Sequence, residues 1–173
     1  MQIRWPSLGQ VVAVILALVC VVGLYMVLTF EPRTEAQPVP NVVLEDMDKN
    51  PIALRELVNG KVTIINVWAS WCPYCIQELP DFVRLKKAYP DIVIVALNRK
   101  ESQKEVQEYI RKNGIKNELT VLLDQDDEFY HAINGVGMPE TVVVNQQGFI
   151  VVHRHGPMSF AEMEATVDSL HPN

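Results

Sequence analysis

The stretch Asn66-Val67-Trp68-Ala69-Ser70-Trp71-Cys72-Pro73-Tyr74-Cys75 decides the fold of this 173-residue chain. The apolar, β-branched run over 62–68 predicts a strand that is buried on both faces. A helical pattern follows Cys75, so the two cysteines lie at a strand-to-helix turn. A pair with this spacing can close a reversible disulfide across the first turn of the helix. Unpaired N–H groups at the helix N-terminus favour a thiolate on the first sulfur, and thiolates attack disulfides.

Two other interpretations of the cysteine pair are a permanent structural disulfide and half of a zinc site. A structural bridge rarely spans only three residues at a helix start. The third cysteine, Cys20, leaves the chain without the second pair that a zinc site needs. We therefore predict a redox pair, in which Cys72 is the exposed, attacking thiol and Cys75 is the buried, resolving thiol.

The N-terminal region predicts a membrane anchor over residues 1–30. Residues 8–30 carry no charge, and as a helix of about 1.5 Å per residue they are long enough to cross a bilayer. This run exceeds the apolar core of a cleaved signal peptide. Arg4 precedes the run and Glu31 follows it, which favours a cytoplasmic N-terminus and a single pass into the extracytoplasmic space of a bacterium. Cys20 is interpreted as a small apolar residue within the span.

Residues 31–40 contain three prolines and predict an extended linker, so the globular domain is predicted over 41–173. A net charge of −6 without a basic stripe argues against nucleic-acid binding. Strand–helix–strand units followed by a hairpin and a last helix predict an α/β domain with a central mixed sheet and flanking helices. The expected elements are an N-terminal β-hairpin over 42–52, strands over 62–68, 92–97 and 119–123, a hairpin over 141–152, and helices near 53–58, 76–89, 102–113, 128–133 and 159–170.

Three sequence blocks carry a resemblance to a known family. They are the stretch 66–75, Pro80 in the following helix, and Gly137-Met138-Pro139-Glu140-Thr141. Together they are similar to the thioredoxin superfamily, specifically its membrane-anchored TlpA/ResA/CcmG (DsbE) branch. The resemblance implies a thioredoxin-like fold over the whole domain and a cis peptide bond at Pro139. Thioredoxins proper carry an Asp where this chain has Asn66, whereas Glu78 looks like the acidic residue of the TlpA/ResA branch.

The resemblance also implies roles for residues around the cysteines. Glu78 is expected to exchange a proton with Cys75; the alternative is an exposed charge on the helix. Met138 and Pro139 are expected to pair with an extended substrate strand, and the alternative is a tight turn without a ligand. Trp71 and Tyr74 are expected to form an apolar lip beside the sulfurs.

No metal, flavin or nucleotide signature is apparent in the sequence, and no cofactor is expected. His153 and His155 alternate on a predicted strand and face the same side, as a metal pair would. Two ligands without a third make a metal site a weak hypothesis, so both are interpreted as solvated strand histidines.

The sequence thus predicts a membrane-tethered thiol–disulfide oxidoreductase that reduces protein disulfides. By resemblance, the leading substrate is apocytochrome c during cytochrome c maturation, and the expected electron donor is a transmembrane protein of the thiol-reducing type. A general disulfide oxidase or isomerase is the first alternative, and reduction potential would distinguish it. A non-catalytic peptide-binding module is the second.

Overall fold

The computed structural model describes residues 8–29, 36–115 and 118–170. Within the first helix, it describes the side chains of Gly9 and residues 15–25. The chain divides into two compact units, Met1–Glu35 and Ala36–Asn173.

The first unit contains helix α1, Leu8–Thr29, which lies within the predicted span 8–30. Its described side chains from Ile15 to Tyr25 are exposed. Among the described residues, none of the helices is long and apolar enough to cross a membrane. The predicted span is therefore not confirmed.

The second unit has a mixed α/β architecture, as predicted, and its elements follow the predicted order. The element bounds, in chain order, are β1 Gln37–Pro38, β2 Val43–Asp46, β3 Pro51–Ala53, α2 Leu54–Val58, β4 Thr63–Trp68, α3 Pro73–Ala88, β5 Val93–Arg99, α4 Gln103–Lys112, β6 Thr120–Asp124, α5 Glu128–Ala132, β7 Glu140–Val144, β8 Phe149–His155 and α6 Phe160–Leu170. The predicted capping box is present at α4, where Ser102 and Glu105 exchange hydrogen bonds. Pro80 lies inside α3, and the helix continues past it to Ala88.

The described strands form one sheet in the order β1-β8-β7-β4-β5-β6-β2-β3. Strand β4 is central, parallel to β5 on one side and antiparallel to β7 on the other. All six residues of β4 are buried because helices cover both faces of the sheet, as its nearly continuous apolar run indicates. The predicted parallel pairing of the strands at 62–68 and 92–97 is confirmed.

Two hydrophobic clusters lie on opposite faces of the sheet, as the alternation of side chains along β4 requires. Ile64 and Trp68 face the cluster that helices α3, α4 and α6 complete. Ile65 and Val67 face the second cluster, which helices α2 and α5 complete. Both cysteines belong to the first cluster, so the redox pair is packed against the larger part of the core.

The structure differs from the prediction at the linker. Residues Gln37–Pro38, inside the predicted linker 31–40, form β1 and pair with β8. Val39 is buried, and its carbonyl accepts a hydrogen bond from Arg55 Nε at 3.0 Å. The second unit begins at Ala36 rather than at 41. Proline lacks an N–H group but is tolerated at a sheet edge, so prolines alone do not exclude a strand here.

Candidate active site

Cys72 and Cys75 form a disulfide across the start of α3, with their Cα atoms 5.3 Å apart. Cys72 is the N-cap of the helix, and Pro73 occupies its first turn, where a missing N–H group costs nothing. The Cys75 N–H donates a hydrogen bond to Cys72 Sγ at 3.2 Å. A thiolate on Cys72 would thus meet the N–H groups and positive dipole end of α3.

The predicted exposure of Cys72 is wrong for the disulfide form. Cys72 is 4% exposed and Cys75 is 0% exposed. Cys72 Sγ is bonded to Cys75 Sγ, which lies inside the core. The Cys72 side chain therefore points inward, and the residue is buried. The difference in burial between the two cysteines is in the predicted direction but small.

Glu78 lies one helical turn beyond Cys75 and is only 4% exposed, so it is not an exposed charge on the helix. Asn66 Nδ2 donates a hydrogen bond to Glu78 Oε1 at 2.6 Å. The Met158 N–H donates to Glu78 Oε2 at 3.1 Å. Asn66 Nδ2 also donates to Thr141 Oγ1 at 3.0 Å, which joins strands β4 and β7 to this network. The carboxyl group is therefore held in one position beneath the start of α3.

Burial raises the pKa of Glu78 from its usual 4.5 to about 7. The hydrogen bonds from Met158 and Asn66 lower this pKa, and the nearby negative charge of Asp81 raises it, but the loss of hydration is the largest effect. A carboxyl group with this pKa is partly protonated near neutral pH. It can both accept and release a proton, which suits a thiol that must deprotonate during turnover.

A surface cavity gives Glu78 access to solvent. Its volume is about 260 Å³, and it is lined by Tyr74, Gln77, Glu78, Asp81 and residues 157–159. A proton can therefore leave the buried carboxyl group without crossing the core. Proton transfer between Glu78 and Cys75 stays a prediction. The burial of Glu78, its raised pKa and its access to solvent are all consistent with that transfer.

The loop before β7 contains the expected cis peptide bond, between Met138 and Pro139. Met138 packs against both hydrophobic clusters, including the one that holds the cysteines. The Pro139 carbonyl accepts a hydrogen bond from the Gly156 N–H at 2.9 Å. The loop is thereby fixed to the end of β8. Binding of a substrate strand by Met138 and Pro139 stays a prediction.

Large apolar side chains beside the cysteines are exposed, as the predicted lip requires. Trp71 is 65% exposed and Tyr74 is 62% exposed. Val136, in the loop before Pro139, is 77% exposed and was not singled out from the sequence. Its position between Gly135 and Gly137 was an available signal, because an apolar residue in a glycine-rich loop has little core to enter.

Glu101 is a further site residue that the sequence analysis missed. It is 8% exposed, and its Oε2 accepts hydrogen bonds from the Ser70 N–H and from Asn98 Nδ2, both at 2.7 Å. Its Oε1 accepts from the Ser70 hydroxyl. Glu101 therefore fixes the turn that immediately precedes Trp71 and Cys72. The residue follows β5 in sequence, and only the parallel pairing of β4 with β5 brings it to this turn.

His153 and His155 are not simply solvated strand residues. His153 Nε2 lies 2.8 Å from Glu140 Oε1, and His155 Nδ1 lies 2.6 Å from the same oxygen. Glu140 itself is fully buried. The sequence showed two alternating histidines, but the acidic residue comes from the neighbouring strand and could not be assigned to them without the register.

The sequence of nearly the whole second unit agrees with one family. A sequence model of the Redoxin family matches residues 34–168. The chain belongs to the Redoxin family. Within it, the chain is 30% identical over 134 residues to the thiol-disulfide oxidoreductase ResA of Halalkalibacterium halodurans, covering 76% of this chain and 74% of that one. It is 33% identical over 124 residues to the thiol:disulfide interchange protein DsbE of Allochromatium vinosum, covering 70% and 67%.

A solved structure shows the same fold. The thiol:disulfide interchange protein of the thioredoxin family from Chlorobium tepidum superposes with a TM-score of 0.68 at 26% identity, covering 79% of this chain and 97% of that one. The resemblance to the ResA and DsbE branch is thus confirmed, and so is the thioredoxin-like fold. This Redoxin chain is a thiol–disulfide oxidoreductase of the ResA/DsbE type, with Cys72 and Cys75 as its cysteine pair.

Proposed function

We propose that the chain is a protein disulfide reductase, held at a membrane with its domain on the extracytoplasmic side. The observation that carries the direction of electron flow is Glu78, a buried carboxyl group one helical turn beyond Cys75. Residues three apart on a helix have Cβ atoms about 5–6 Å apart. At that distance in a buried site, a negative charge on Glu78 disfavours a thiolate on Cys75, so the dithiol form gains less from ionisation than it would beside a neutral residue.

The reaction balances with the two cysteines as electron donors and Glu78 as proton acceptor. The Cys72 thiolate attacks one sulfur of the substrate disulfide, forms a mixed disulfide and displaces the other substrate sulfur as a thiolate. The Cys75 thiol gives its proton to Glu78, and the resulting thiolate attacks Cys72 Sγ. The second substrate sulfur leaves as a thiolate. The two substrate thiolates take up one proton from Glu78 and one from water and become a dithiol. Two electrons have then passed to the substrate, and the Cys72–Cys75 disulfide is re-formed.

The strength of the pair as a reductant follows from how much the protein stabilises its reduced form. Strong oxidants stabilise the reduced form through a thiolate of very low pKa, as in DsbA with a potential near −120 mV. Here a buried acid that carries charge above pH 7 opposes that stabilisation. We therefore expect a reduction potential near the thioredoxin value of about −270 mV.

The test is a redox titration of the full chain in detergent at pH 7. Mixtures of reduced and oxidised dithiothreitol set the lower potentials and mixtures of reduced and oxidised glutathione the higher ones, and thiol alkylation with mass spectrometry reads the dithiol fraction. A midpoint near about −270 mV supports the reductase. A midpoint near about −120 mV contradicts it and assigns the chain to the oxidases. Alkylating Cys20 beforehand removes the one other thiol of the sequence from the readout.

We assign apocytochrome c, with oxidised haem-attachment cysteines, as the substrate, and a transmembrane protein of the thiol-reducing type as the electron donor. The resemblance to the CcmG branch supports both assignments. The exposed side chains of Trp71, Tyr74 and Val136 offer an apolar surface to an unfolded polypeptide segment. A cytochrome c precursor is such a segment before its haem is attached.

The proposed membrane attachment rests on the sequence, in which residues 8–30 carry no charge. After alkaline carbonate extraction of membranes, the protein should stay in the pellet, and mass spectrometry should find the Met1 end intact. Protease added to spheroplasts should digest the domain from outside. Release by carbonate, a mature start near Gln37, or protection from protease would each contradict the proposal.

A further inference from the structure

Glu140, His153 and His155 place three metal-binding groups together on one face of the sheet. One ligand atom from each residue lies within 4.8 Å of the other two. Two imidazole nitrogens meet a single carboxylate oxygen, Glu140 Oε1, at 2.8 Å and 2.6 Å. The rings of the two histidines are 4.5 Å apart between centroids.

The strand register creates this arrangement. Strands β7 and β8 are antiparallel, with Glu140 opposite His155 and Val142 opposite His153. Directly opposed residues share a face, and residues two apart on a strand share it as well. Both histidines therefore lie on the face of Glu140, together with Val142 of the second hydrophobic cluster. Thr141 and its Asn66 partner lie on the other face, so this group is separate from the redox site.

The donor set is that of a zinc-type site. Two imidazoles and one carboxylate are the protein ligands in several catalytic zinc sites, which keep a further position for water. The side chains of His153 and His155 are 27% and 53% exposed, so that position faces solvent. The buried carboxylate is oriented by the Val136 N–H, which lies 3.3 Å from Glu140 Oε2. A hydrogen bond of this kind, made to a metal ligand rather than to the metal, fixes the orientation of the ligand.

The geometry needs only a small adjustment to admit an ion. Ligand atoms at about 2.0–2.1 Å from a tetrahedral zinc ion are about 3.3 Å from one another. The observed spacings of 2.6 Å and 2.8 Å are hydrogen-bond distances. Rotation of the two partly exposed histidine rings by about 0.5–0.7 Å at the nitrogen provides the missing space. The buried Glu140 does not have to move.

We propose that Glu140, His153 and His155 form a binding site for one divalent transition-metal ion of the zinc class. This inference goes beyond the proposed reductase function and does not depend on it. Imidazole and carboxylate ligands suit Zn²⁺ and Co²⁺, whereas Mg²⁺ and Ca²⁺ prefer oxygen ligands alone.

The test uses the full chain in detergent, with Cys72 and Cys75 oxidised and Cys20 alkylated, so that no thiol can bind metal. Zn²⁺ is titrated by calorimetry, and Co²⁺ by its visible absorption, which reports tetrahedral coordination. We expect one ion per chain. His153→Gln and His155→Gln should each weaken binding at least about tenfold. His131→Gln and His171→Gln, which change the other two histidines of the sequence, should leave it unchanged.

Circular dichroism of each variant, and its disulfide reductase activity, verify that the fold is retained. Both histidines are partly exposed, so their replacement by Gln leaves the core intact. Absence of one-to-one binding would overturn the proposal and leave the histidines as hydrogen-bonding partners of a buried carboxylate. Binding that persists in both His153→Gln and His155→Gln, or that His131→Gln or His171→Gln abolishes, would overturn it as well.

Discussion

Replacing Glu78 with Gln should make the domain more stable at high pH than at low pH, relative to the unchanged protein. In the folded state the pKa of Glu78 is about 7, against a usual value of 4.5. Between pH 4.5 and about 7, Glu78 is ionised in the unfolded chain but still protonated in the folded chain. The free energy of unfolding therefore falls as the pH rises from 4.5 to about 7, and is constant above.

The size of the effect follows from the same pKa. Each pKa unit corresponds to about 1.36 kcal/mol, so the penalty above pH 7 is about 3 kcal/mol. Gln cannot ionise and removes the penalty. Its NH₂ group also replaces one of the two oxygens that accept from Asn66 Nδ2 and the Met158 N–H, so one of these donors loses its acceptor, which costs about 1–2 kcal/mol at every pH. Because this cost is the same at every pH, it does not affect how the difference in unfolding free energy between the variant and the unchanged protein varies with pH.

The assay is urea unfolding of both proteins in the disulfide form at intervals from pH 4 to pH 9, so that the cysteines do not titrate. The stability difference should shift by about 3 kcal/mol in favour of Glu78→Gln between the two ends. Glu56→Gln makes the same chemical change at an exposed position and should show no such shift. A difference that is flat with pH would refute the raised pKa, and with it the proposed proton exchange.

Three further predictions concern the site and its support. Cys75→Ser should leave substrate covalently attached to Cys72, whereas Cys72→Ser should trap almost nothing; acid quenching and mass spectrometry identify the adducts, and equal trapping by both variants would overturn the assigned order of attack. Glu101→Gln should lower the free energy of unfolding in urea by about 1–3 kcal/mol and slow disulfide reduction, because it weakens the hydrogen bonds that position the turn at Ser70. An unchanged rate of disulfide reduction would limit Glu101 to a structural role. Phe82→Ala should cost about 3–5 kcal/mol, since Phe82 is fully buried, yet leave the reduction potential unchanged; a shifted potential would show that core packing tunes the sulfurs.

Much of the fold could be predicted because local patterns and the final structure agree. The apolar run at 62–68 has no polar face, so it fits only a strand covered on both sides. The capping box at Ser102 marks a helix start that the structure keeps. The short strand β1 escaped prediction because two residues with a proline carry no periodicity. Its pairing depends on where the edge of β8 lies.

The site was predicted where it is contiguous in sequence and missed where it is assembled across strands. Cys72, Cys75 and Glu78 lie on one helix, so their spacing alone places them together. Glu101 reaches Ser70 only through the pairing of β4 with β5. Glu140 reaches His155 only through the register of β7 with β8. Contacts of this kind are not encoded in any single stretch of the chain.

The start of β7 is intolerant of insertions for a reason that composition does not reveal. Pro139, Glu140 and Thr141 are consecutive, yet they belong to the cis-proline loop, to one face of the sheet and to the opposite face. A single residue inserted between Pro139 and Glu140 would shift the strand by one position and exchange its two faces. The Glu140 carboxylate would then replace the Thr141 hydroxyl beside Asn66 and face Glu78, bringing two acidic groups into one buried space. An insertion among the five residues that follow Pro139 would therefore change the chemistry of both faces of the sheet at once.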